Sequence, residues 1–195
     1  MLVREVMTSP AITVQSVATV KDAMRLLDEH HVTALPVVDH DGRLVGIVSE
    51  ADLLREAVRE DERTHLIPHE HLVTGGPRAI EDVMSTLSMS VRADSDLKDA
   101  VELMTSTAVK SLPVVENGHV VGVVSRSDVV HVLARSDDSI HAEVDELLRS
   151  AGLDCEVEVE DGHVLVEGPV DPHQRRTAEV LAGSVTGVVS VRVRG

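Results

Sequence analysis

Leu35-Pro36-Val37-Val38, a short polar turn, then Gly46-Ile47-Val48-Ser49-Glu50-Ala51-Asp52 decides how this chain folds, because the stretch is written twice. Leu112-Pro113-Val114-Val115 and Gly122-Val123-Val124-Ser125-Arg126-Ser127-Asp128 are its second copy. Each copy reads as a strand, a turn, a second strand and the first turn of a helix. The second strand delivers a serine and, three residues on, an aspartate to that helix start. Free N–H groups at a helix N-terminus favour an anion such as a phosphate. The same serine and acid, spaced by three, are also a capping box, which contributes about 1 kcal/mol without any ligand.

The repeat extends outward from this motif. Val6-Met7 aligns with Val83-Met84, and Leu35-Pro36 with Leu112-Pro113, both 77 residues apart, while Ser49 and Ser125 are 76 apart. The one-residue deletion falls in the hairpin turn, where a length change is tolerated best. Upstream, Ala11 to Val14 reads as a short strand. Thr19-Val20-Lys21-Asp22 is a capping box opening a helix to about His30, with Val20, Ala23, Met24 and Leu27 as its apolar stripe. In the second copy Asp96 takes the cap, Asp99 follows three later, and Leu97, Ala100, Val101 and Met104 carry the stripe. Second helices run from Glu50 to about Arg59 and from Arg126 to about Arg135. Each copy is therefore β-α-β-β-α. Leu44 to Val48 and Val120 to Val124 are almost wholly apolar and are expected to be buried on both faces. The expected divisions are residues 1–59 and 78–136 for the two copies, 60–77 for a linker, and 139–195 for a further domain.

The linker is rich in histidine (His65, His69, His71), yet Pro68 breaks any helix that would hold these side chains on one face. It reads as a solvated loop rather than a metal site. Beyond Ser139 the pattern changes. Ile140, Val144, Leu147 and Leu148 share one helix face, and Cys155, Val157 and Val159 alternate with acids as a half-buried strand. Asp161-Gly162 turns the chain, Asp171-Pro172 starts a second helix, and Val189, Val191 and Val193 alternate in a last strand. This is α-β-β-α-β. The overall class is α+β: two β-α-β-β-α repeats packed as a pair, plus this small domain.

Composition narrows the function. The 195 residues contain no Phe, Trp or Tyr, so the core is aliphatic and no ring is available to stack on a base. With 34 acidic against 18 basic residues the net charge is −16. Nucleic acid and anionic membrane are poor partners for such a surface. The single cysteine, Cys155, cannot form an internal disulfide, which suits a reducing compartment, and the first residues lack a signal-peptide run. A cytoplasmic location is the expectation. Cys155 reads as a buried structural thiol, and no nucleophile stands beside an acid–base partner, so the chain reads as a binding protein rather than an enzyme. Arg175, Arg176, Arg192 and Arg194 are the only basic cluster of the tail, read as salt-bridged, with a lipid headgroup or an acidic partner as the alternative.

On these motifs, residues 1 to about 135 resemble a tandem pair of CBS domains. The tail, with Gly162, Gly168 and Gly187 at its turns, resembles a BON domain. The first resemblance implies an adenosyl ligand (AMP, ATP or S-adenosylmethionine) bound as a regulator in the clefts of the pair, a disc-shaped homodimer, and no required cofactor. The second implies attachment to lipid or to a partner protein. Carried over, Ser49 and Ser125 would bond a phosphate oxygen, and Asp52 and Asp128 the ribose hydroxyls. Thr33-Ala34-Leu35-Pro36 and Lys110-Ser111-Leu112-Pro113 would line the base. The segments Thr8 to Ile12 and Ser85 to Met89 would close the pocket.

The two sites differ in charge. Arg126 and Lys110 stand at the second, Glu50 and Thr33 at the first. A phosphate gains from charge-assisted bonds and loses beside a carboxylate. The second-copy site is therefore expected to take the phosphorylated ligand, the alternative being that Arg126 only makes a surface ion pair. A rival class for the whole chain is a structural or lipid-associated adaptor in which the pair serves only to dimerise.

Overall fold

The computed structural model describes residues 1–57, 78–86, 89–168 and 171–195. They form two compact units: one comprises Thr8–Ala93 and Ser111–Val123, the other Met1–Met7, Asp94–Lys110 and Val124–Gly195. The His-rich linker and the end of the second helix of copy one lie outside the described residues.

In the first unit, β1 (Val14–Gln15), α1 (Val20–His30), β2 (Ala34–Val38), β3 (Leu44–Ser49) and α2 (Glu50–Ala57) follow in the expected order. Thr19 opens α1 as a capping box with Asp22, and His31, in a left-handed conformation, closes it. The sheet order is β1-β2-β3, with β1 parallel and β3 antiparallel to β2. Ala23, Leu27, Leu35, Val37, Val48, Leu53 and Ile80 share one core. Burying each of these larger aliphatic side chains is worth roughly 1.5–3 kcal/mol.

Burial on both faces, expected for Leu44 to Val48 and Val120 to Val124, belongs instead to the strands before them. Leu35, Pro36, Val37 and Val38 of β2 are all buried, whereas β3 alternates between buried and half-buried positions. The reason is topology. β2 is the middle strand, and β3 pairs antiparallel with one row turned to the core. Copy two shows the same contrast between β4 (Ser111–Glu116) and β5 (His119–Ser125), which pair as a two-stranded sheet. Its expected first strand shrinks to a single parallel bridge, Val91 to Val114.

The copies exchange their leading segments. Ser85 pairs with Ile47 of β3, its carbonyl accepting from the Ile47 N–H at 3.0 Å, while Thr8 pairs with Val123 of β5. This explains Gly46: a Cβ there would lie 2.7 Å from Met84 Sδ and 2.8 Å from the Ser85 carbonyl oxygen. Glycine admits the crossing backbone.

The second unit holds α3 (Leu97–Ser106), α4 (Arg126–Leu133) and the whole tail: α5 (Asp137–Ser150), β6 (Glu156–Glu160), β7 (His163–Glu167), α6 (Pro172–Gly183) and β8 (Ser190–Arg194). Asp96 caps α3 by accepting from the Lys98 N–H, two residues on rather than three. In the tail, β6 runs antiparallel and β8 parallel to β7. The α-β-β-α-β order is as expected. Ile140, Val144, Leu148, Val157, Val164, Val166, Ala178 and Ala182 fill its core. Asp137, in the first turn of α5, accepts from the Asp161 and Gly162 N–H groups at 2.8 and 2.9 Å, tying the β6–β7 turn to the helix. Arg135 joins α4 to the tail. Its guanidinium donates to the Thr186 carbonyl at 2.6 Å and to Glu143 at 2.7 Å.

Candidate functional site

Both helix starts are built alike. β2 pairs with β3 so that Ala34 sits opposite Ser49, the last residue of β3. The Thr33 carbonyl then accepts from the Glu50 N–H at 3.0 Å. In copy two the Lys110 carbonyl accepts from the Arg126 N–H at the same 3.0 Å. In each copy the residue just before a strand is thus bonded to the first residue of the second helix.

At the first start, the Ser49 N–H and hydroxyl donate to Asp52 Oδ2 at 3.0 and 2.6 Å, and the Asp52 N–H returns to Ser49 Oγ at 3.4 Å. At the second, Ser125 donates to Asp128 Oδ2 at 2.7 and 2.6 Å, and the Asp128 N–H returns at 3.3 Å. Both are charge-assisted capping boxes, and both carboxylates are half-buried. A serine hydroxyl has one proton to give, and here it goes to the aspartate. For Ser49 or Ser125 to donate to a phosphate, as the family resemblance implies, the 2.6 Å bond must open.

The second carboxylate oxygens differ. Asp52 Oδ1 meets Arg55 Nη1 at 3.3 Å. Among the described residues nothing takes Asp128 Oδ1. Burial works to raise the Asp52 carboxyl, but the bonds from Ser49 and Arg55 outweigh it and hold it below the ordinary aspartate value of 3.8.

The remaining expected residues divide. Leu35 and Leu112 are 0% exposed, because alternation turns them into the core. Their side chains therefore do not line a base, and only their backbone is available for that. Pro36 and Pro113 are also buried, Ser111 is 5% exposed, and Thr33 and Lys110 are exposed. Ile12 packs on the first-unit core. Ser85 lies beside β3 and Thr8 beside β5, so each segment is held by the other copy's strand. The sequence could have signalled this only through Gly46, which needs a neighbour backbone to justify it. Leu87 and Ser88, in the expected closing segment, lie outside the described residues. Arg126 makes no ion pair among the described residues; its Nη2 donates to the Met104 carbonyl at 2.6 Å, in the last turn of α3. A cation there suits the helix dipole.

The CBS domain family matches residues 3–59 and 80–135, more than half of the chain. The chain belongs to the CBS domain family. Its two CBS repeats are followed by a BON domain, matched over residues 136–194. Protein MJ1426 of Methanocaldococcus jannaschii is 29% identical over 154 residues, covering 68% of this chain and 91% of that protein. CBSX2 of Arabidopsis thaliana is 35% identical over 129 residues, covering 57% of this chain and 54% of the plant protein. The crystal structure of CBSX2 in complex with AMP superposes with a TM-score of 0.55 at 35% identity, covering 67% of this chain and 93% of that one. The CBS pair of protein MJ0100, solved with 5′-methylthioadenosine and S-adenosyl-L-methionine, gives 0.55 at 25% identity, covering 67% and 94%.

In the BON domain only Arg194 of the basic cluster makes an ion pair among the described residues, with Glu167 at 3.5 Å, while Arg175 donates to the Gly195 carbonyl. Cys155 is half-buried rather than fully buried, and burial together with Asp154 pushes its thiol upward. Among the described residues no helix is long and apolar enough to cross a membrane.

Proposed function

We propose that this chain is a non-catalytic, cytoplasmic regulator that binds an adenosyl ligand at its CBS pair. The ligand is AMP- or ATP-like, or S-adenosylmethionine, and its occupancy is passed on through a homodimer partner or through the BON domain, itself a dock for lipid or protein. The observation that carries this reading is the pair of half-buried carboxylates, Asp52 and Asp128, each held by a serine at a strand-to-helix junction. Fixed on one oxygen by its serine, Asp128 keeps the other for ribose hydroxyls, whereas Asp52 shares its other oxygen with Arg55. The AMP complex of CBSX2 and the adenosyl complexes of MJ0100 support the ligand class. Ligand entry would favour one arrangement of the pair through differential affinity.

The second-copy site, with Lys110, Ser111, Leu112, Pro113, Ser125, Arg126 and Asp128, takes the anionic ligand. The first, with Thr33, Ala34, Leu35, Pro36, Ser49 and Asp52, takes a ligand without an anionic tail or stays empty. One observation favours the rival reading, an adaptor that only dimerises. Both serine–aspartate pairs satisfy each other without any ligand, as helix caps do. Dye-monitored thermal unfolding against AMP, ADP, ATP, NAD and S-adenosylmethionine separates the two. A bound ligand at 100 times its Kd adds about 2.7 kcal/mol of stability. A flat response across the panel would retire the regulator in favour of the adaptor.

A further inference from the structure

The BON sheet has two faces, and its helices cover one. Val157, Val164 and Val166 turn into the core shared with α5 and α6. The alternate residues stand on the other face, in three rows set by the strand register. Glu158, Leu165 and Arg192 form the middle row. Glu160, His163 and Ser190 lie on one side of it, and Glu156, Glu167 and Arg194 on the other. Leu165 is half-buried and the rest are exposed. An open groove of about 650 Å³ lies over the middle of this face. One edge of the face is therefore a strand of glutamates, and the opposite edge carries two arginines and a serine. Glutamates along β6 alone would do no more than keep an edge strand from pairing. Arginines at the same spacing on the far edge give the face a direction. Arg194 is taken by Glu167 of its own chain at 3.5 Å. In the middle row the opposite charges stand apart on either side of Leu165, and among the described residues neither Glu158 nor Arg192 has an ion-pair partner.

We propose that this face docks on the same face of a second copy of the chain, about a twofold axis that lies between the two sheets, parallel to β7 and over Leu165. Such an axis reverses the order of the strands, so that β6 of one copy lies over β8 of the other. Leu165 then meets Leu165 of the other copy, and Glu158 meets Arg192 on both sides of it. A twofold running across the strands would instead set Glu158 on Glu158 and Arg192 on Arg192, and like charges bar that arrangement. Reciprocal contact of one patch with itself is what a twofold demands. Sheets packed face to face stand about 10 Å apart, which brings these long side chains within reach of each other. The face, three strands of five residues each, measures about 17 by 14 Å. That is well short of the about 800 Å² per partner of a standard stable interface, so the contact is weak and depends on salt. The proposal deepens the reading of the BON domain as a dock for protein and rests on that part alone, on neither nucleotide binding nor the helices of the CBS repeats.

Disulfide trapping on the nucleotide-free full chain tests it, with Leu165→Cys placed in a Cys155→Ser background. This protein is expected to cross-link with itself, at least about fivefold less in about 500 mM than in about 50 mM salt, because exposed ion pairs are screened. Added to that background, Glu158→Arg and Arg192→Glu are each expected to lower cross-linking at least about fivefold when oxidised alone. Mixing the two variants is expected to restore it, since each then meets the opposite charge on both sides of the axis. A misfolded variant would not recover on mixing. Cross-linking that ignores both charge reversals would overturn the pairing. A Leu165→Cys chain that sediments as a dimer yet does not cross-link would overturn the proposal while leaving the homodimer and nucleotide binding standing. Arg192-dependent co-sedimentation with anionic vesicles, without cross-linking, would overturn it in favour of a lipid headgroup.

Discussion

Copy one and copy two start their second helices with the same three hydrogen bonds and then part company. In copy one the helix begins Glu50-Ala51-Asp52, and Arg55 closes the outer carboxylate oxygen of Asp52. In copy two it begins Arg126-Ser127-Asp128, and Arg126 turns away to the Met104 carbonyl. The serine and aspartate recur because a helix leaving a strand needs its first N–H groups answered, whatever else the site does. The side chains between them, Glu50 and Ala51 in one copy and Arg126 and Ser127 in the other, are exposed, and there the charge reverses. A duplicated fold thus keeps its backbone chemistry and lets its surface electrostatics diverge. The far ends of the helices differ too. Copy two's α4 runs into the BON domain and is held there by Arg135, whose side chain is 26% exposed, against 76% for Arg55.

Removing these two arginines should break that comparison most visibly. Arg135→Ala strips charge-assisted bonds to Thr186 and Glu143 from a partly buried junction. It is expected to cost about 1.5–3 kcal/mol in urea unfolding followed by far-UV circular dichroism. Arg55→Ala removes an exposed i,i+3 pair and is expected to cost no more than about 0.5 kcal/mol. Equal losses would mean that α4 is no better anchored to the BON domain than α2 is to its surroundings.

Much of this was legible in the residues themselves. The capping box at Thr19 and Asp22, the α-β-β-α-β order of the tail and the Asp161-Gly162 turn follow from short-range chemistry that the sequence displays directly. What stayed hidden was long-range. The exchange of Thr8 and Ser85 between copies depends on a backbone crossing that leaves a single local trace, the glycine at 46. The inward turn of Leu35 and Leu112 follows from strand alternation, yet the family resemblance drew them into the base pocket. Spacing alone does not show that each serine hydroxyl gives its one proton to the aspartate three residues on. Nor does spacing show that Arg126 reaches the Met104 carbonyl, 22 residues away.

The next contrast concerns binding. If the outer oxygen of Asp128 is the one left to a ribose while that of Asp52 is shared with Arg55, AMP affinity should depend unequally on the two. Calorimetry is expected to show a loss of about tenfold or more for Asp128→Ala, about 1.4 kcal/mol. Asp52→Ala should lose less than about threefold. A larger loss at Asp52 would reverse the assignment of the anionic ligand, and identical losses would mean that the charge difference between the sites has no bearing on occupancy.

The smallest effect isolates copy one's box. The Asp52 carboxyl sits below 3.8 in the folded chain because the Ser49 and Arg55 bonds outweigh its burial. A depressed carboxylate contributes stability above its unfolded value, and that contribution disappears as pH falls through the folded value. Ser49→Ala removes the hydroxyl that does most to hold the carboxylate down. The stability gap between wild type and Ser49→Ala should therefore be constant from about pH 7 to pH 5 and narrow below 3.8. It should not vanish, because the loss of Ser49 Oγ as acceptor for the Asp52 N–H does not titrate and leaves about 1 kcal/mol of capping energy. Asp22, Asp39 and Asp171 are also held low, so both proteins weaken in acid. Only the difference between them reports Asp52. A gap that widens as the pH drops would mean that the hydroxyl favours the protonated acid, and the box would then hold a neutral carboxyl rather than the anion a ribose needs.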